Sequence, residues 1–148
     1  MRVNKAKNMF CKNVSASLEL LAHVKDEESY QTTAWFVEKI SQWFALMTSR
    51  HPVLALSKCK IDKYNEAIQI LNEIRDIFRD IQKGHKNVWK PLQTGILIST
   101  TSISQLAEYY LEKKGLPFLL TGRFTQDCVE NLFSIVRSKQ PVPNALQF

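Results

Sequence analysis

Apolar residues recur every three or four positions along most of this chain, the period of helices with one buried face. From Val3 to about Val24 the stripe is Val3, Ala6, Phe10, Val14, Leu18 and Leu21, and "HVKDEES" then interrupts it with charge. A second helix is expected from about Glu28 to Ser49, with Phe36, Ile40, Trp43, Phe44 and Met47 facing inward. "RHP" ends it, because the residue before Pro52 disfavours helical backbone. The third helix is the most regular. From Ile61 its apolar positions are Tyr64, Ile68, Leu71, Ile74, Phe78 and Ile81, with charges between them and Gly84 as a C-terminal stop.

After the connector "HKNVWKP", a fourth helix is expected from Pro91 or Leu92 to Lys114, closed by Gly115. Its middle, "ILISTTSIS", is rich in β-branched residues and also reads as a strand. Its length, and the placing of Ile96, Ile103, Leu106 and Tyr110 roughly on one face, favour helix. "LPFLLTGRF", bracketed by Pro117 and Gly122, is expected to be extended. Thr125 then offers an N-cap to a last helix, with Asp127 where the positive end of the helix dipole favours a carboxylate. Val129, Leu132, Phe133 and Val136 are expected on its buried side. "SKQPVPNALQF" has no helical period, and the fold class is mainly α.

Composition agrees with one ordinary domain. The 148 residues are 45% hydrophobic and 23% charged, with only four glycines and five prolines. A formal charge of +6 permits contact with a polyanion, and a solvated surface needs no more than that. Lys5, Lys7 and Lys12 on the first helix could touch phosphate, or simply face water. Cys11, Cys59 and Cys128 are scattered and odd in number, and they form no metal-ligand spacing with His23, His51 and His85. A reducing, intracellular location, nuclear or cytoplasmic, is the expectation. The serines and threonines of "TGILISTTSIS" rule it out as a membrane span.

Candidate chemistry is sparse. There is no phosphate-binding glycine loop, dinucleotide fingerprint, nucleophile elbow or zinc pattern. What stands out is a pair of carboxylates, Asp127 and Glu130, sharing a helix face with Ser134 and Arg137. They are either the polar face of a capped surface helix or the remnant of an active site. Two carboxylates do not make a metal site without further oxygen ligands.

"TGRFTQDCVENLFSIVR" resembles the segment bearing the last catalytic acid of P-element-type DNA transposases, including the THAP-domain transposases of animals. That segment reads T-x-R-x-x-Q-D-x-(L/V)-E-x-x-F-S-x-x-R, and Thr121, Arg123, Gln126, Asp127, Glu130, Phe133, Ser134 and Arg137 meet its fixed positions. "MRVNKAKNMFCKNVSASL" is similar to the family's K-M-(R/K)-V-x-x-A-x-x-x-x-S-x-S-V-A helix, and "WKPLQTGILISTTSISQLAEYYL" to its K-P-(F/W)-Q-x-G-(I/L) helix. Three motifs in order carry far more weight than one.

The resemblance implies a helical insertion domain followed by the last helix of a split RNase H-like catalytic domain. Residues 1 to about 100 correspond to most of a GTP-binding insertion, about 101–138 to the return into the RNase H-like fold, and 139–148 to a tail. Glu130 would be the third acid, and a Mg²⁺ ligand, of a two-metal D-D-E site acting on transposon-end DNA. Asp127 and Phe44 would contact the guanine of GTP. The family's two earlier aspartates have no counterpart in these residues. Ser41, Ala45 and Thr48 stand where the family has asparagine, aspartate and asparagine, which removes polar partners for a guanine. Such a chain is not expected to cut DNA alone, and with half of a split domain absent its "LPFLLTGRF" segment and Val129–Val136 stripe are expected to expose apolar surface. The alternative is a non-catalytic helical module that binds guanine nucleotide, DNA or a transposase subunit, with self-association open to it and no membrane contact.

Overall fold

The computed structural model describes residues 7–81 and 89–139. Five helices account for most of them: α1 (Lys12–Lys25), α2 (Glu28–Met47), α3 (Ile61–Asp80), α4 (Pro91–Ala107) and α5 (Asp127–Lys139). Short 3₁₀ turns lie at Pro52–Leu54 and Thr121–Phe124, and one π turn, Glu108–Lys113, extends α4. Among the described residues the one sheet-like contact is an antiparallel bridge between Leu56 and Leu119. No helix among them is long and apolar enough to cross a membrane.

α1 and α2 form a hairpin around Asp26, which adopts left-handed backbone at φ 51°. Ser15, buried in α1, donates its hydroxyl to the Ala34 carbonyl at 3.1 Å and pins the two helices together. α3 lays Tyr64, Ala67, Leu71, Ile74 and Phe78 inward. Tyr64, Ala67 and Leu71 join Ile103, Ala107 and Leu111 from α4 and its π turn, closed below by Leu56 and Leu119. α2 covers this cluster with Trp43, Leu46 and Met47.

The β-branched stretch of α4 stays helical because its buried polar groups find partners. Thr100, fully buried, accepts a hydrogen bond from the Trp43 indole at 2.9 Å. Gln93, also buried, donates to the Phe78 carbonyl at 3.1 Å and accepts from the Lys90 amide at 2.9 Å. It thereby satisfies one of the free carbonyls at the end of α3 and an amide at the start of α4. Gly115, at φ 66°, closes the helical run as expected.

An ion pair joins the second and third helices: Lys39 Nζ lies 2.6 Å from Glu73 Oε2. The hydrogen bond from Lys39, then that from Gln69, holds the Glu73 carboxyl below its ordinary value. A depressed carboxylate stabilises the fold above its unfolded pKa, and that contribution is lost as pH falls through the folded value. Both side chains are partly wet, so the effect is about 0.5–1 kcal/mol. Lys39→Met is expected to lower stability at pH 7, and in urea titrations the difference from the parent should shrink progressively as pH is lowered below the ordinary carboxylate range. A difference that does not shrink with falling pH would assign the loss to packing by the lysine stem instead.

Several expectations are corrected. The first helix is not continuous, since residues 7–9 are helical, Phe10 and Cys11 break the run, and α1 restarts at Lys12. Val3, Ala6 and Lys5 lie outside the described residues, as does Gly84. The deepest residues of α2 are Ala34 and Val37, while Phe36, Ile40, Trp43, Phe44 and Met47 are half-buried. Ala34 is swallowed where Ser15 of α1 bonds to its carbonyl, and Trp43 and Met47 pack on the core cluster while keeping part of their surface in solvent. "LPFLLTGRF" is extended only to Leu120, because the Arg123 amide folds back to the Leu120 carbonyl at 3.0 Å and closes the turn. The apolar stripe of α5 marks the side that seeks cover, but it lies open, in line with the expected shortage of packing partners: Val129 is 49% and Leu132 57% exposed, with Phe133 and Val136 half-buried. No second layer lies over that face among the described residues.

Candidate functional site

The turn at Thr121–Phe124 sets the position of the motif helix. The last carbonyls of α2 have no helical partners of their own, and the turn supplies them. The Thr121 hydroxyl donates to the Leu46 carbonyl and accepts from the Ser49 amide, and the Gly122 amide donates to the Ser49 carbonyl at 2.8 Å. Both turn residues are buried. Gly122 is required for lack of space, since a Cβ there would stand 2.8 Å from the Ser49 carbonyl oxygen and 3.0 Å from that of Thr48. Thr125 donates its hydroxyl to the Gly122 carbonyl at 2.9 Å, tying the turn to the start of α5.

α5 then opens with Asp127 and carries Glu130 one turn on, whose amide donates to the Gln126 carbonyl at 2.9 Å. Glu130 and Ser134 face solvent, and the exposed Arg137 guanidinium stands 6.0 Å from the centre of the Phe133 ring. An exposed carboxylate can give a hard cation one or two oxygens, whereas magnesium sites need several ligands. Among the described residues no three His, Cys, Asp or Glu side chains gather as a metal group would require. Phe44 lies half-buried on the last turn of α2, and its carbonyl accepts from the Thr48 hydroxyl at 2.7 Å. The latch therefore brings the Phe44 end of α2 next to the turn that starts the Asp127–Glu130 helix.

A cleft of about 780 Å³ adjoins this junction. Ser41, Gln42, Ala45 and Leu46 of α2 form one wall, and Leu54, Ile70 and Phe118 others. Lys12, Lys60 and Lys63 line it against one acid, Glu66. A shallower groove of about 740 Å³ on the neighbouring face of α3 is acidic, with Glu73, Asp76, Glu108 and Glu112. Burial, then the Glu112 carboxylate, pushes the Tyr64 phenol up between the two.

Sequence reasoning placed Asp127 and Glu130 on one helix, counted Thr121 in the motif and Gly122 as a bracket of the extended stretch, but tied neither to the end of α2. A threonine–glycine pair just before a helix was the available signal. The cleft left no comparable trace, because four separate stretches of chain build it.

No family model matches the chain. It is similar to the Transposable element P transposase of Drosophila melanogaster, 29% identical over 129 residues, which are 83% of this chain and 17% of that protein. Among solved structures it is similar to the Drosophila P element transposase strand transfer complex, with a TM-score of 0.77 and 26% identity. That match covers 99% of this chain and 34% of the other. The chain thus spans a minor part of either relative. In sequence and in helical architecture alike, it is homologous to a stretch of the P element transposase.

Proposed function

We propose that these residues are a piece of a P-element-type DNA transposase: most of its helical insertion (residues 1 to about 100) and the return into an RNase H-like domain (about 101–138), followed by a tail (139–148). α4 passes through the junction without a break. The observation that carries this reading is the shared architecture over 99% of the chain, together with a motif whose Thr121 and Gly122 hold the Glu130 helix on α2. In a complete site, Glu130 would supply the third carboxylate to a pair of divalent ions, whose contribution would be to activate a water or a DNA 3′-hydroxyl and to stabilise the leaving oxygen. A carboxylate suits that role because magnesium prefers anionic oxygen ligands. The partner is transposon-end DNA, reached by the assembled protein.

The family's cofactor is a guanine nucleotide, which Phe44 and Asp127 would contact, but the residues that stand beside them here fit it poorly. Ser41, Ala45 and Thr48 offer it two hydroxyls and a methyl group, and the Thr48 hydroxyl is already engaged with the Phe44 carbonyl. Self-association belongs to the same reading, the solved relative being a strand transfer complex.

The 148 residues alone are expected not to nick or join transposon-end DNA with Mg²⁺ or Mn²⁺. Substituted for the matching stretch of the Drosophila relative, they are expected to keep strand transfer, and Glu130→Gln in that chimera to reduce it to background. Two outcomes would overturn the reading: nicking by the isolated chain that Glu130→Gln abolishes, or a chimera indifferent to Glu130→Gln.

A further inference from the structure

Apart from Ser41 and Ala45, the 780 Å³ cleft is built from residues that the reading above does not use. Its size lies within the ~300–1,000 Å³ range that encloses most of a small ligand or a row of side chains. Its walls are mainly carbon, from Ala45, Leu46, Leu54, Ile70 and Phe118 on four different stretches of the chain. At the mouth, Val53 and Leu54 are 73% and 67% exposed. Adjacent exposed apolar residues beside a concave apolar floor are the usual form of an interaction site.

Charge narrows the occupant. Lys12, Lys60 and Lys63 are exposed around the cleft and none makes an ion pair among the described residues, while Glu66 is the one acid among the lining side chains. Flexible lysine stems add apolar cover while their ammonium groups stay in water, where they attract carboxylates without demanding a fixed geometry. An apolar trough bordered by cations matches a helix with an apolar stripe and acidic flanks, which seats side chains spaced i, i+3/i+4 and i+7. A phosphate-bearing ligand is the poorer match, because Ser41, Gln42 and Ser57 are few polar groups for a base edge on a lining that is mostly carbon.

We propose that this cleft is a docking groove for an acidic amphipathic helix of a partner protein. Apolar anchors enter between α2, α3 and Phe118, and carboxylates on the helix flanks meet Lys12, Lys60 and Lys63. The proposal requires neither Glu130 nor DNA; it shares Ser41 and Ala45 with the nucleotide reading, and the test below separates the two occupants.

Cys59, an exposed free thiol lining the cleft, reports on occupancy. The probe is a synthetic, fluorescein-labelled helix of about four turns, with leucine at the stripe positions and glutamate on the flanks. Binding to the full 148-residue chain is read by anisotropy, and Cys59 alkylation by maleimide is read by peptide mass mapping. Saturable binding is expected, with Cys59 alkylation slowed at least fivefold. K60E/K63E and, separately, Leu54→Asp are each expected to weaken binding at least tenfold. All three positions are exposed, so unchanged melting curves will show that the variants fold. The proposal is overturned if the peptide fails to bind, if a scrambled peptide of equal composition binds as well, or if the variants bind like the parent. Protection of Cys59 by GTP but not by the peptide would make the cleft a nucleotide site and equally overturn it.

Discussion

Gly122→Ala is expected to destabilise the fold by about 1–3 kcal/mol, the usual cost of forcing a methyl group into a packed site. The added carbon would meet two backbone carbonyl oxygens, those of Ser49 and Thr48, and backbone cannot swing aside as a side-chain tip can. The Arg50 Cγ at 2.7 Å could move, but the carbonyls belong to the end of α2. Relief therefore requires the turn to lift, which breaks the Gly122–Ser49 hydrogen bond and strains both bonds of the Thr121 hydroxyl. A melting temperature lower by about 3–10 °C follows for a chain of this size. Hydrogen exchange at α5 is expected to accelerate before exchange at α3 does, because the turn is its attachment to the helical body. Gly95 is the internal control. It lies within α4 with nothing within 4 Å of the added carbon, so alanine there is expected to stabilise by about 0.5–1 kcal/mol. Equal behaviour of the two variants would mean that the latch does not hold in solution.

Leu71→Ala carries the largest expected loss, about 2–5 kcal/mol in urea unfolding. Leu71 is fully buried in the cluster shared by α3, α4 and the Leu56–Leu119 bridge, so truncation removes its transfer free energy and also leaves a cavity. Leu132→Ala is the informative contrast. The same chemical change on α5, at a residue 57% exposed, is expected to cost less than about 0.5 kcal/mol. A large loss at Leu132 would show that the outer face of α5 is covered in solution, and concentration-dependent melting would then identify self-association as the cover.

These contrasts bear on how much of the site was legible beforehand. Glu130 and Asp127 were placed on one helix, one turn apart, from spacing alone, and the helix is there. Their prospective role came from the likeness of an ordered set of motifs, which carry chemistry that a solitary acidic helix does not. The latch was missed because its partners are far apart in sequence: Thr121 bonds to Leu46 and Ser49, over 70 residues away. The cleft was missed for the same reason, since no local period records that Lys12, Lys60 and Phe118 converge.

Local pattern was sufficient for the helices themselves. An apolar stripe at spacings of three and four can be buried by helical backbone and by little else, and Pro52 and Gly115 stop helices through their own φ preferences. Where each stripe ends up is a different matter, because burial depends on what approaches from elsewhere. The stripes of α3 and α5 look alike in sequence. Leu71 and Ile74 are sealed under α2 and α4, whereas Val129, Leu132 and Ile135 are left facing water. The same holds for Thr100 and Gln93, polar residues whose burial became acceptable only when Trp43 and the end of α3 arrived to bond them. Periodicity prescribes which face of a helix seeks cover. Which faces obtain it, and which carboxylates are held next to which helix end, is settled by long-range contacts that no short window of sequence contains.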